Sequence, residues 1–149
     1  MAITQKFDIG KLFAGVRAKV DIITDSVIDA LQMACLELTN KAKALNTYKD
    51  QTHYLRSSIG FVLYNAGEKI TESFGSTGGE AGSAGVEAGR RIAEEAAKQY
   101  TNEIVAVIVA GADYALYVES KGYDVISGPC SELNEVLSKY LKIVIEELR

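Results

Sequence analysis

Between Glu103 and Tyr123 the chain carries six consecutive apolar residues, Ile104-Val105-Ala106-Val107-Ile108-Val109, which break at Ala110-Gly111. A run of β-branched and small apolar residues fits a strand buried on both faces, so the chain must place it inside a covered sheet. Gly111 offers the backbone freedom for a tight corner after it. Asp113 then stands where an N-cap belongs, with Tyr114, Tyr117 and Val118 at helical spacing behind it. A short helix that packs both tyrosines back against the sheet is expected. Nothing in the stretch reads as a nucleophile or a metal ligand.

The remaining pattern sets the architecture around that strand. Val16, Val20, Ile23, Val27, Leu31, Ala34, Leu38 and Leu45 trace one stripe, which predicts a long helix from about Val16 to Leu45. Its β-branched residues lower intrinsic propensity, so packing must hold it. Ile22, Ile28, Met33 and Leu36 lie off the stripe and form a second apolar surface, buried within one fold or set against a neighbouring subunit. Tyr54 to Tyr64 leads into a strand closed by the turn Asn65-Ala66-Gly67, with Glu68 to Phe74 as the returning strand. Gly75 to Gly85 is read as a mobile loop, with Gly75, Gly78, Gly79, Glu80, Gly82 and Gly85 as candidate partner contacts. A helix over Ala84 to Tyr100 follows, and Tyr123 to Ile126 reads as an edge strand. The last helix starts at Gly128-Pro129, with Leu133, Val136, Leu137, Tyr140, Leu141, Val144 and Leu148 as its stripe. This order predicts a single α+β domain over residues 1–149. Its small antiparallel or mixed sheet packs against a long N-terminal helix and a C-terminal helix.

Composition and motifs narrow the chemistry. The 149 residues are 48% hydrophobic, enough for one core, and carry a net charge of −4 with both signs interspersed. No basic footprint for nucleic acid or anionic lipid results. The apolar run is far below the roughly twenty residues that span a bilayer, and no secretion signal is evident. A protein made and kept in a reducing cytoplasm is the simplest reading. Cys35 and Cys130 belong to no metal-binding cluster and are expected to be small buried thiols. The glycine-rich run lacks the Gly-Lys-Ser/Thr ending of a phosphate-binding loop and carries Glu80 and Glu87 instead. His53 has no evident nucleophile or acid to serve, and Ser57-Ser58 lacks the Gly-x-Ser-x-Gly turn. Glu94, Glu95, Glu132 and Glu135 are spaced as solvated helical faces. The expectation is therefore no catalytic residue, cofactor, metal or small-molecule substrate.

Two segments carry a resemblance. Leu55-Arg56-Ser57-Ser58-Ile59 ahead of one strand, and Tyr114-Ala115-Leu116-Tyr117-Val118-Glu119 after a later one, resemble matching segments of the tailed-phage HK97 gp10-like family, in the same order along the chain. Where family members often continue with a hydrophobic-Gly-Thr turn, this chain has Ser120-Lys121-Gly122-Tyr123. The resemblance implies a structural virion protein at the head-tail junction, a connector, neck or tail-completion protein assembled in the host bacterial cytoplasm. Its implied partners are further copies of itself in a ring and neighbouring head-completion or tail-tube proteins. Leu55, Ile59, Tyr114 and Tyr117 are the expected packing residues. Arg56 and Glu119, the charged members of the two segments, are a candidate pair, within the chain or across a subunit boundary; independent surface charges are the alternative. A small cytosolic adaptor domain is the second functional reading, and a small hydrolase or transferase, which requires a convergent polar pocket, the third.

Overall fold

A computed structural model describes residues 1–7 and 20–148. In chain order the elements are β1 (Ala2–Phe7), α1 (Val20–Ala44), α2 (Tyr54–Ser57), β2 (Ile59–Asn65), β3 (Glu68–Phe74), α3 (Gly82–Ala97), β4 (Ile104–Ala110), α4 (Ala115–Ser120), α5 (Ser127–Ser131) and α6 (Leu133–Glu147). The fold is α+β, built on one antiparallel sheet of order β1-β4-β2-β3.

The saturated apolar run is an inner strand of that sheet. β4 pairs with β1 from Ala2↔Val109 to Phe7↔Ile104 and with β2 from Ile59↔Ala110 to Asn65↔Ile104. Because side chains alternate across a strand, its residues divide between two cores. Ile104, Ala106 and Ile108 join Phe61 and Leu63 of β2 beneath α1 and α6, whereas Val105, Val107 and Val109 join Val62 beneath Ala93 and Ala97 of α3. Helices on both faces explain why this strand shows no polar alternation.

α1 lays Val27, Leu31, Ala34 and Leu38 against the first core, where Leu31 and Leu38 are fully buried. Each such leucine stabilises the fold by about 1.5–3 kcal/mol, which outweighs the few tenths lost at each β-branched position of the helix. Val16, the predicted start of the stripe, lies outside the described residues. Of the second apolar surface, Ile28 is buried, and Ile22, Met33 and Leu36 are exposed.

Four elements differ from the sequence reading, one of them the last helix, which is split at Glu132 into α5 and α6 and leaves Leu148 of its expected stripe exposed. β1 carries too short an alternation to stand out, and its strand state comes from pairing with β4. Residues 123–126 form no strand, because the Val125 and Ile126 amides bond to the Glu119 carboxylate and the Tyr123 amide to the Val118 carbonyl rather than to a sheet edge. The segment before β2 closes a helical turn before extending. The hairpin itself is as expected: Ala66 and Gly67 take left-handed φ of 51° and 81°, matching a two-residue turn.

Gly111 serves the corner by its missing side chain more than by backbone freedom. A Cβ there would lie 2.5 Å from Cα of Gly89, so the two glycines mark where α3 crosses the end of β4.

Candidate interaction surface

Ser58 of the first motif segment meets Gly111 and Ala112, the corner just ahead of the second segment. Its carbonyl accepts the Gly111 amide at 3.1 Å, and its Oγ accepts the Ala112 amide at 3.0 Å while donating to the Leu55 carbonyl at 2.6 Å. All of this is buried, and Leu55 and Ile59 on either side sit in the first core as expected. Ser58 thereby joins α2 to the corner that follows β4.

The tyrosines of that corner point the other way from the expectation. Tyr114 is 39% and Tyr117 63% exposed, while Ala112 and Ala115 are buried and Val118 packs partly against the core. The inward stripe, 112-115-118, keeps Val118 of the expected face and replaces its two tyrosines with Ala112 and Ala115. Space decides the choice: beside Ser58 the corner is close enough for backbone hydrogen bonds, which leaves room for methyl groups and not for phenol rings. Asp113 is exposed and makes no cap; α4 begins after Tyr114, which lies over Tyr54 with ring centroids 6.0 Å apart.

Arg56 and Glu119 do not pair within the chain. The Arg56 guanidinium donates from Nη2 to the Leu45 carbonyl at 2.6 Å, at the C-terminal end of α1, and stands 5.2 Å from the Tyr48 ring centroid. A cation there complements the helix dipole. The Arg56 amide meanwhile donates to Asp50 at 2.8 Å. Glu119 takes the amides of Val125, Ile126 and Ser127 on Oε1 at 3.1, 2.7 and 2.9 Å, and the Ser127 hydroxyl on Oε2. Partial burial by itself raises the Glu119 pKa, but the bonds from Ser127 and these amides outweigh it and hold the carboxyl below the usual range. Each charge thus organises its own loop. The sequence signal for this was the Ser-Gly-Pro that opens a helix after Ile126, since the amides at and just before a helix start call for an acceptor.

The glycine-rich run is not one open loop. Gly82 and Gly85 are buried in the first turns of α3, and Gly85 lies so close to the Tyr54 carbonyl that no side chain fits. Only Gly75 to Ala81 is irregular, and it is tied down. The Thr77 amide donates to Ser57 Oγ at 2.9 Å, Thr77 Oγ1 bonds with Ser57 Oγ and His53 Nδ1 at 3.0 Å each, and the Ala81 amide donates to the Thr52 carbonyl at 3.0 Å. Lys43 adds a bond to the Gly75 carbonyl. His53 holds a left-handed φ of 62° within this knot. Ser57 is fully buried with its oxygen engaged by Thr77, so the trio works as a tether and not as an activated nucleophile. Gly75, Gly78, Gly79 and Glu80 remain exposed.

What the described surface offers is apolar and aromatic. A groove of about 530 Å³ between α1 and α6 is lined by Met33, Leu36, Ala44 and Tyr140, and bordered by the ion pairs Lys41–Glu132 (2.7 Å) and Lys139–Glu37 (2.8 Å). A second groove, of about 610 Å³, runs between the loop after α1 and the end of α4, lined by Tyr48, Lys49, Tyr117, Lys121 and Tyr123. Cys35 and Cys130 are buried and unbridged, as expected, with burial the main cause that pushes both thiols up to about 12. Among the described residues no three His, Cys, Asp or Glu side chains gather as a metal site, and no helix is long and apolar enough to cross a membrane. No protein-family model, curated protein or solved structure matches the chain.

Proposed function

We propose that this chain is a structural protein that acts by assembling into a ring, in the manner of a connector, neck or tail-completion protein at the head-tail junction of a tailed-phage virion. The observation that carries the reading is the set of large apolar and aromatic side chains left on the surface of a fold with two filled cores. Met33 and Leu36 on one groove, and Tyr117 and Tyr123 on the other, are each more than two-fifths exposed. Tyrosines, methionine and leucine of this kind fit contact with protein better than contact with water. Both grooves mix such residues with a few polar and charged ones, and Glu37 and Lys41 of the first are already held in ion pairs with Lys139 and Glu132, which favours assembly over turnover. The motif segments add the resemblance, and Ser58 of the first holds the corner at Gly111 and Ala112 that leads into the second. The partners on this reading are further copies of the chain and adjoining head-completion or tail-tube proteins, and the place of action is the virion. Native mass spectrometry with electron microscopy tests it. A closed oligomer, formed alone or on adding a portal or tail-tube protein, supports the reading. A chain that stays monomeric with all of these, while capturing an unrelated cytosolic partner, overturns it in favour of an adaptor.

A further inference from the structure

The hydrogens of the knot around Thr77 can run in one direction only. Thr77 Oγ1 lies 3.0 Å from Ser57 Oγ and 3.0 Å from His53 Nδ1, and the Thr77 amide donates to Ser57 Oγ at 2.9 Å. Ser57 is fully buried, and among the described residues its oxygen has no hydrogen-bond partner besides Thr77. A buried hydroxyl hydrogen without an acceptor is costly, so the Ser57 hydrogen goes to Thr77 Oγ1. Thr77 Oγ1 then directs its own hydrogen to His53 Nδ1, which has to accept it. The imidazole that fits is the neutral form with its hydrogen on Nε2.

Protonation of His53 breaks this chain of bonds. An imidazolium carries hydrogens on both ring nitrogens and accepts nothing. If Nδ1 donates to Thr77 Oγ1, the Thr77 hydrogen turns to Ser57 Oγ, and the Ser57 hydrogen is left buried without an acceptor. If the ring swings out instead, Thr77 loses its outer partner. Either way the knot holds one hydrogen bond fewer. His53 is half-buried, so protons reach it from solvent, and it is the only histidine of the chain.

The knot fastens the irregular residues 75–81, whose remaining ties are Lys43 Nζ on the Gly75 carbonyl and the Ala81 amide on the Thr52 carbonyl. The charged and titratable groups on the elements around His53 are Lys43 of α1, Asp50 before α2, Tyr54 and Arg56 of α2, and Glu80 of the segment itself; the first turn of α3, residues 82–85, has none. Asp50 is turned onto the Arg56 amide, and the Arg56 guanidinium onto the Leu45 carbonyl. Burial lowers the Lys43 pKa, and loss of that proton loosens the segment as pH rises. Protonation of His53 loosens it as pH falls, and the opposite sign separates the two. We infer that His53 is a proton-operated latch, which holds residues 75–81 against α2 through Thr77 and Ser57 when neutral and frees them when protonated. The latch works within one copy of the chain, whether or not the chain assembles into a ring.

Hydrogen exchange on the full chain between about pH 8 and about pH 5.5, corrected for the intrinsic rate at each pH, tests the latch. In the wild type the protection of the Thr77 and Ala81 amides falls by about tenfold over that range, while the amides of β4 keep theirs. His53→Asn suits the left-handed backbone of φ 62° and does not titrate, so it makes the protection of residues 75–81 independent of pH. Thr77→Ser keeps the hydroxyl and with it the pH dependence. Thr77→Val lacks the hydroxyl and leaves the segment equally loose at both ends of the range. Circular dichroism confirms that each variant is folded. Flat protection in the wild type overturns the inference, and so does a tenfold fall that survives in His53→Asn or Thr77→Val. A fall shared by the β4 amides reports global loosening and overturns it too.

Discussion

Ser58 Oγ accepts the amide hydrogen of Ala112 at 3.0 Å, a buried bond between residues 54 positions apart that fixes the corner after β4 to the turn before β2. Replacing Ser58 by Ala leaves that amide and the Leu55 carbonyl with one partner fewer each. Buried amides without partners cost about 1–3 kcal/mol, so Ser58→Ala lowers unfolding free energy by that amount in urea titration. An unchanged midpoint would show the corner to be held by Gly111 alone.

The glycines of the Gly75–Gly85 run separate into two kinds. A Cβ at Gly75 meets nothing nearer than Lys43 Nζ at 3.9 Å, and Gly75→Ala stays within about 0.5 kcal/mol of wild type. At Gly85 it is driven into the Tyr54 carbonyl, and Gly85→Ala destabilises by about 2 kcal/mol or more. Thermal unfolding of the two single variants checks the contrast; equal effects would mean that α3 can shift away from α2.

Glu119 makes stability depend on acid. Its carboxyl is held below the usual range in the folded chain, so the folded state binds that proton less well than the unfolded state. The stabilisation is complete above the ordinary carboxylate value of about 4.3 and is lost as pH falls through the lower folded value. Glu72, lowered by Lys69 and Arg90 against the opposing effect of burial, has the same sign. Glu119→Gln removes one of these protons from the linkage and flattens the acid limb of stability against pH between about 5 and 3. It also costs about 1 kcal/mol at pH 7, because the loop amides lose a charged acceptor. Urea unfolding across that pH range measures both, and an unaltered slope would exclude Glu119 as the responsible group.

Cys35 and Cys130 are shielded by burial and held as thiols, with pKa values pushed up to about 12. Thiolate is the reactive form, so a disulfide exchange reagent at pH 8 labels neither until the chain unfolds. Labelling that tracks added urea fits this; prompt labelling of Cys130 in buffer would place α5 in a second, more open arrangement.

Thr77 ties the irregular segment to Ser57 and His53. Thr77→Val loses the hydroxyl bonds but keeps the amide bond, and the expected result is faster hydrogen exchange confined to residues 75–81 with global stability reduced by no more than about 1 kcal/mol. Exchange unchanged in that segment would assign the tether to Ala81 and Lys43.

Periodicity located the doubly covered strand, the long first helix and the last helix's stripe as far as Val144, because burial imposes the repeat of each element on its own residues, and the Asn-Ala-Gly turn residues located the hairpin. The buried cysteines follow from the usual burial of a free thiol, and Leu55 and Ile59 were marked by the motif resemblance. Periodicity could not choose between Ala112-Ala115-Val118 and Tyr114-Tyr117-Val118 as the inward face of α4, since both fit a helical turn. The distance from Ser58 to the corner made that choice by excluding large rings. Nor could it assign Arg56 and Glu119: opposite charge makes a pair conceivable, but the C-terminal carbonyl of α1 and the free amides of residues 125–127 lie nearer to hand. Local sequence determined the type and apolar side of the long, strongly patterned elements, α1, β2, β4 and most of α6. Tertiary structure alone decided which polar groups satisfy one another and which tyrosines stay outside, because those outcomes depend on distances between residues remote along the chain.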